Sequence, residues 1–284
     1  MHPRRSWLFV PGADPAAHQA AARSGADILI QELEDFTPAD LRPKARLLSL
    51  GLFDSWRKAG AIAAVRVNPL ETCGREDLAA VMKGRPDIVL MPKVVSPEQV
   101  RALEGATGGV VELVPNVETA AGLLNAFQIG KASRKVSAML VASEDMVADL
   151  GTNRSRGGEE LAYVRARFLV ECRAAGVEAV DCPYTFSDVK GAAADARYAK
   201  QLGYRMKSLV APEHAAAINR VFSISDLEIR EATRIVNAFE KARKSGMERA
   251  KVGGKLVEMP IYSAAKRLLL SSANTPPPQR RKPR

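Results

Sequence analysis

Short apolar runs in this chain end repeatedly in acids, bases or amides. One run ends at Glu32-Leu33-Glu34-Asp35, the next at Arg66-Val67-Asn68, and a third at Pro92-Lys93. Further along come Asn116-Val117-Glu118, then MLVASED with Glu144-Asp145, then Asp181. Any one of these, taken alone, reads equally well as a solvated loop residue. Taken together, they are acids that would repel one another on convergence unless a cation or a basic partner compensated them. Two carboxylates with waters and ligand oxygens make the oxygen-only, near-octahedral shell that Mg2+ requires. Asp145 and Glu118 are therefore expected to share one divalent ion, with Glu144 a supporting or structural acid. Arg66 and Lys93, one or two strands away, suit a substrate carboxylate or a developing negative oxygen.

Such residues need a scaffold that gathers strand ends in one place. Apolar, β-prone runs at 6–10, 27–31, 61–67, 87–91, 110–115, 136–142, 178–182 and 206–210 alternate with helix-like stretches, for example 120–131, 158–175 and 191–202. Two more helices, at 212–222 and 226–244, follow the last run. This alternation predicts parallel strands with crossover helices. Eight βα units in unbroken series predict a closed (β/α)8 TIM barrel, with an open doubly wound sheet as the alternative, and place the reactive residues at the carboxyl ends of the strands. The barrel is expected over 1–246. A polar, Gly-bearing connection and a short amphipathic helix make 247–272 a C-terminal helical arm or lid. Gly253-Gly254 reads there as either a hinge or a plain turn. Residues 273–284, rich in Pro and Arg, read as a disordered basic tail.

Composition narrows the function classes. Of the net charge of +10, Arg280, Arg281, Lys282 and Arg284 supply four, which leaves the body only modestly basic. That excess suits anionic small molecules better than nucleic acid. No apolar run approaches the roughly 18 residues of a membrane span, and the stretch around Trp7 is too short for a signal peptide, so a cytoplasmic protein without membrane contact is expected. Cys73, Cys172 and Cys182 are odd in number and widely spaced, which predicts reduced structural thiols rather than disulfides or a zinc site. Ser143 lacks a GxSxG frame, which argues against a serine nucleophile.

Motifs in order along the chain carry a resemblance. RRSWLFVPGADP, ELED with Lys44-Ala45-Arg46, VRVN, LMPK, VETAAGL, ASEDMVADLG, AAGVEAVDCPY and GGKLVEMP resemble the citrate lyase beta subunit and malyl-CoA (citramalyl-CoA) lyase group of the HpcH/HpaI aldolase superfamily. The likeness extends over roughly residues 4–270. It implies a TIM barrel, trimeric or hexameric as a homo-oligomer, that uses Mg2+ to make or break a carbon–carbon bond between an acyl-CoA thioester and a 2-oxo acid. It also implies Glu118 and Asp145 as metal ligands and Arg66 as a substrate-binding and catalytic arginine. Glu34 and Lys93 would join in substrate binding, Asp35 would be catalytic beside the metal, and Lys44 and Arg46 match basic residues of the following helix. Glu258 stands where the lyase branch carries an aspartate that reaches into a neighbouring subunit as catalytic acid or base.

The expected reaction is cleavage of a malyl-CoA-type or citramalyl-CoA-type 3-hydroxyacyl thioester to acetyl-CoA and a 2-oxo acid. The alternatives are a citryl-acyl-carrier lyase (citrate lyase beta subunit), a malyl-CoA-type thioesterase, and a non-catalytic anion-binding relative. Several positions depart from the family pattern. Glu32 and Glu258 replace aspartates, Cys182 and Met206 replace glycines, and Ala211 replaces a histidine.

Overall fold

The computed structural model describes residues 3–273. Strands β1 (Ser6–Pro11), β2 (Ile28–Glu32), β3 (Ile62–Arg66), β4 (Ile88–Met91), β5 (Glu112–Val117), β6 (Ala138–Val141), β7 (Glu178–Asp181) and β8 (Met206–Leu209) follow one another with helices between them. Each pairs in parallel with the next, and β8 closes on β1 through Ser6 to Lys207 and Leu8 to Leu209. The expected closed (β/α)8 barrel is therefore the observed fold, and the open sheet is excluded.

The strands are near-continuous aliphatic runs because both of their faces are covered. One set of alternate side chains, Trp7, Phe9, Ile28, Ile30, Ala64, Leu90, Val114, Leu140 and Val180 among them, fills the barrel interior. The other set, including Leu8, Leu29, Val65, Val89, Leu113, Met139, Ala179 and Leu209, packs outward on the helices. Period-two alternation then fixes where the strand ends point. Glu32, Arg66, Asn116 and Glu118 continue the inner set. Asp181 and Lys207 continue the outer one. Ahead of β1, Arg4 grips Glu112 through two nitrogens at 2.6 and 2.8 Å and takes the Trp7 indole N–H on its carbonyl at 2.9 Å.

The helix expected over 120–131 is two, Ala120–Leu124 and Ala126–Lys131. They part at Asn125, whose amide donates to the Val95 carbonyl at 2.9 Å. All three cysteines are free, and burial pushes the Cys182 thiol up to about 12, which leaves it chemically quiet. No helix among the described residues is long and apolar enough to cross a membrane.

The chain divides into two compact units, the barrel Arg4–Phe222 and a second unit from Ser223 onward. The boundary thus falls ahead of the expected position at 246. The reason is that helix Asp226–Lys244, opened by a Ser225/Glu228 capping box, packs with helix Met259–Ala273 through stacked Phe239 and Tyr262 rings, 4.7 Å between centroids. Between the two helices, β9 (Ala250–Val252) and β10 (Lys255–Val257) pair antiparallel, and Val252 and Val257 join Phe239 in a small core. Gly253 and Gly254, at φ 56° and 80°, are the two central residues of this hairpin turn, which requires positive φ at both. The plain-turn reading of that pair is therefore the structural one, and the connection is folded as a hairpin. The expected tail lies outside the described residues, apart from Ala273, which ends the last helix.

Candidate active site

The centre of the carboxyl-terminal mouth is Arg66. Its side chain is 7% exposed and lies over the Phe9 ring, with the guanidinium carbon 4.9 Å from the centroid. Nε donates to Glu32 Oε1 at 2.9 Å, Nη2 stands 3.2 Å from Glu34 Oε2 and 3.9 Å from Asp35 Oδ2, and Nη1 reaches Glu118 Oε1 at 3.5 Å. Burial opposes this charge, yet Glu32, Glu118 and Glu34 together hold the guanidinium proton more tightly than in free arginine. Strands β2 and β5 thus deliver their acids around one planar cation at the end of β3, which the rigid fork of arginine suits and lysine would not.

Glu32 organises the loop that follows β2. Its Oε1 also takes the Glu34 N–H at 2.6 Å, Oε2 takes the Phe36 N–H at 2.5 Å, and its carbonyl takes the Thr37 hydroxyl at 2.5 Å. The Thr37 hydroxyl oxygen in turn accepts from Gly12 N at 2.9 Å. A Cβ on Gly12 would stand 2.3 Å from the Glu32 carbonyl oxygen, so only glycine lets the two strand ends approach this closely. The loop presents Glu34 inward and leaves Asp35 exposed at the rim. Lys93 Nζ bonds Glu34 Oε1 at 2.6 Å. Its backbone sits at φ 55°, a left-handed conformation that costs a non-glycine residue about 1 kcal/mol or more and is held by its surroundings. Burial raises the Glu34 carboxyl, with Arg66 and Lys93 opposing.

Glu118 is fully buried, and burial pushes its carboxyl up to about 8, with Arg66 opposing and the charge of Asp145 adding to the rise. Its two oxygens differ. Oε1 faces Arg66 Nη1 and the Asn116 amide N–H, both at 3.5 Å. Oε2 is buried without a protein partner, as are Asn116 Oδ1 and Ser143 Oγ. Asp145 is half-buried in the first turn of helix Glu144–Asp149, directly after β6, the neighbour of β5 in the barrel wall. Glu144 turns away to Thr185 Oγ1 at 2.7 Å and Arg154 Nε at 3.4 Å, a structural pairing.

Five carboxylates, Glu32, Glu34, Asp35, Glu118 and Asp145, therefore face two cations, Arg66 and Lys93. The surplus of negative charge, the bare buried oxygens and the absence of soft donors fit a hard dication such as Mg2+. No group of three or more His, Cys, Asp or Glu among the described residues is arranged to hold a metal. A dication here would complete its shell with water and ligand oxygens.

Other residues singled out in the sequence have partners of their own. Asp181 faces the helix layer, where it binds Arg165 at 2.7 and 2.9 Å and Lys207 at 2.6 Å. Asp195 closes the cluster on Arg165 at 2.8 Å and Lys207 at 2.5 Å. Its outward parity thus removes Asp181 from the mouth and makes Lys207 its partner. Arg46 reaches Asp77 at 2.8 Å, and Asp77 holds the Asn68 amide at 2.8 Å and its backbone N–H at 2.9 Å, so this base braces the β3 loop from behind. Lys44 is exposed. Glu258 belongs to the second unit, opens its last helix and pairs with Arg249 at 3.1 Å. The part played by Asn116 was readable only by counting inward positions along β5, two residues before Glu118.

A model of the HpcH/HpaI aldolase/citrate lyase family matches residues 5–212. The citrate lyase subunit beta of Leuconostoc mesenteroides subsp. cremoris is 30% identical over 284 residues, covering 95% of this chain and 94% of its own. A (3S)-malyl-CoA thioesterase of Cereibacter sphaeroides is 35% identical over 266 residues, covering 90% of each chain. Among solved structures, CitE from Mycobacterium tuberculosis in complex with magnesium, acetoacetate and coenzyme A superposes with a TM-score of 0.78 at 26% identity, over 96% of this chain and 99% of that one. With sequence and barrel in agreement along nearly the whole length, the chain belongs to the HpcH/HpaI aldolase/citrate lyase family and is a lyase of that family.

Proposed function

We propose that this enzyme is a Mg2+-dependent carbon–carbon lyase that cleaves, or forms, a 3-hydroxyacyl-CoA thioester of the malyl-CoA or citramalyl-CoA type, yielding acetyl-CoA and a 2-oxo acid. The observation that carries this reading is Glu118 Oε2, a buried carboxylate oxygen without a protein partner, close enough to Asp145 for the two charges to repel. Glu118 and Asp145 hold the ion, and the magnesium-bound CitE structure supports the choice of metal. Bound there, Mg2+ supplies Lewis-acid polarisation and a template for the substrate oxygens.

The chain's own residues do the rest. Arg66, with Lys93 and Glu34 at its side, receives the substrate carboxylate and stabilises negative oxygen as it develops, a contribution typically worth about 3–4 kcal/mol. Asp35, at the rim 3.9 Å from Arg66, takes the hydroxyl proton as the carbon–carbon bond breaks and its electron pair moves into the thioester enolate. Glu258, contributed by a neighbouring copy in a homotrimer or hexamer, returns a proton to the enolate carbon, a general-acid effect of roughly 10²–10⁴-fold.

The relatives favour two other outcomes on the same site, thioester hydrolysis and cleavage of a citryl-acyl carrier. Purified protein with Mg2+ and a panel of malyl-CoA, citramalyl-CoA and citryl thioesters separates them. A lyase releases a 2-oxo acid and acetyl-CoA in equal amounts. Free CoA with the intact hydroxy acid identifies a thioesterase, and turnover of the citryl thioester alone identifies the citrate lyase activity. No turnover of any of them, with or without Mg2+, overturns the proposal.

A further inference from the structure

The interior of the barrel beneath the acids is largely apolar around one polar place on β5. Val114 precedes it on β5, Leu140 is the register partner on β6, and Leu90 lies on β4, all in the interior cluster. Between them stands Asn116, fully buried, its Nδ2 3.5 Å from Glu118 Oε1 and its Oδ1 without a protein partner. Leucine would fill such a position with no amide to satisfy, and a half-satisfied buried amide lowers stability. Stability therefore does not account for the asparagine.

We propose that Asn116 is a positioning residue for Glu118. This deepens the Mg2+-lyase reading and rests on it. Asn116 and Arg66 both direct an N–H at the same carboxylate oxygen. Arg66 supplies charge, and Asn116 sets the rotation of the carboxylate plane from below. Held by Oε1, Glu118 presents Oε2 bare to the dication. The Asn116 Oδ1, one inward layer deeper, accepts a hydrogen bond from water that enters with the ion. Groups that orient a metal ligand in this way typically change affinity by about 10–100-fold when removed.

The test is titration calorimetry of MgCl2 into the metal-free full-length chain, with thermal melts in parallel, for the parent, Asn116→Leu, Asn116→Val and Asp145→Asn. Asn116→Leu is expected to melt no lower than the parent without metal, to bind Mg2+ about 10–100-fold more weakly, and to lose most of the melting shift that Mg2+ produces. Asn116→Val removes the donor without adding a charge or a proton, and it is expected to lose affinity as well. It decides the matter if the leucine variant does not fold. Parent-like Mg2+ affinity in a folded Asn116 variant, while Asp145→Asn has lost binding, overturns this inference alone. So does a metal-free melting temperature that falls in step with affinity in both variants, because that marks a purely structural role. Parent-like Mg2+ binding by Asp145→Asn overturns the metal assignment and takes this inference with it.

Discussion

Glu32 and Arg66 are joined by a buried ion pair, Oε1 to Nε at 2.9 Å, and the same carboxylate gathers the N–H groups of its own loop at Glu34 and Phe36. The pair occupies the Nε edge of the guanidinium and leaves both Nη groups to Glu34, Asp35 and Glu118. The length of the Glu32 side chain, one methylene more than aspartate, gains structural meaning from this. Its extra methylene lets one carboxylate span the strand end, the loop and the neighbouring strand.

Shortening that reach moves Arg66. Glu32→Asp is expected to fold, because the charge and its acceptor capacity remain, and to lose about 10²-fold in kcat/KM, the effect of displacing a reacting group by about 1 Å. Steady-state kinetics with circular dichroism as the folding control measure this. Parent-like kcat/KM would show that Arg66 is set by its other contacts.

Asp181 gives the opposite expectation. Two acids and two bases, Asp181, Asp195, Arg165 and Lys207, are enclosed between the barrel wall and its helices, and the charges balance. Removing one partner from such a buried cluster costs about 3–5 kcal/mol. Asp181→Ala should lower the denaturant midpoint accordingly, while kcat per folded molecule stays near that of the parent. A selective loss of kcat with unchanged stability would return Asp181 to the catalytic mouth.

Much of this architecture was readable along the chain. Eight aliphatic runs mark eight strands because burial on both faces demands uninterrupted apolar sequence. The facing of the charged strand ends was harder to read. Asp181 and Glu118 both end apolar runs, and only their parity against Val180 and Val114 shows that one faces the helices and the other the interior. The ion cluster was hidden for the same reason, since Arg165 and Asp195 come from helices whose crossing no local pattern encodes. Gly253-Gly254 carried two meanings until strand pairing on both sides made it a turn. The unit boundary was misplaced because helix Asp226–Lys244 reads like any barrel helix, and its partner, Tyr262, lies beyond a hairpin.

The proposed role of Glu258 can be tested by complementation. Glu258 opens the helix Met259–Ala273 in the second unit, while Asp145 stands on the barrel. If Glu258 serves a neighbour's mouth, oligomers mixed from Asp145→Asn and Glu258→Ala subunits contain some sites with both groups intact. Refolding the two variants together should restore partial activity well above that of either alone. Mixed oligomers verified by mass that stay as inactive as the separate variants would confine Glu258 to its own chain.

The last expectation concerns acid sensitivity at the outer layer of the barrel. His18 is 5% exposed, edge-on to Trp56 with ring centroids 5.8 Å apart, and its Nε2 lies 2.9 Å from the Pro11 carbonyl. Burial lowers its pKa below the ordinary value of 6.5. Its contact with Pro11 and the charge of Asp14 oppose the shift, and Lys44 adds to it. The folded chain therefore keeps the imidazole neutral at a pH where the unfolded chain has already taken a proton. The unfolded state binds more protons, so the contribution of this group to stability is complete above pH 6.5 and is lost as pH falls below it. His18→Gln keeps an N–H for Pro11 but cannot titrate. The drop in melting temperature between pH 7.5 and pH 5.5 should be smaller in that variant than in the parent. Equal drops would show that His18 takes its proton as readily in the folded chain as in the unfolded one.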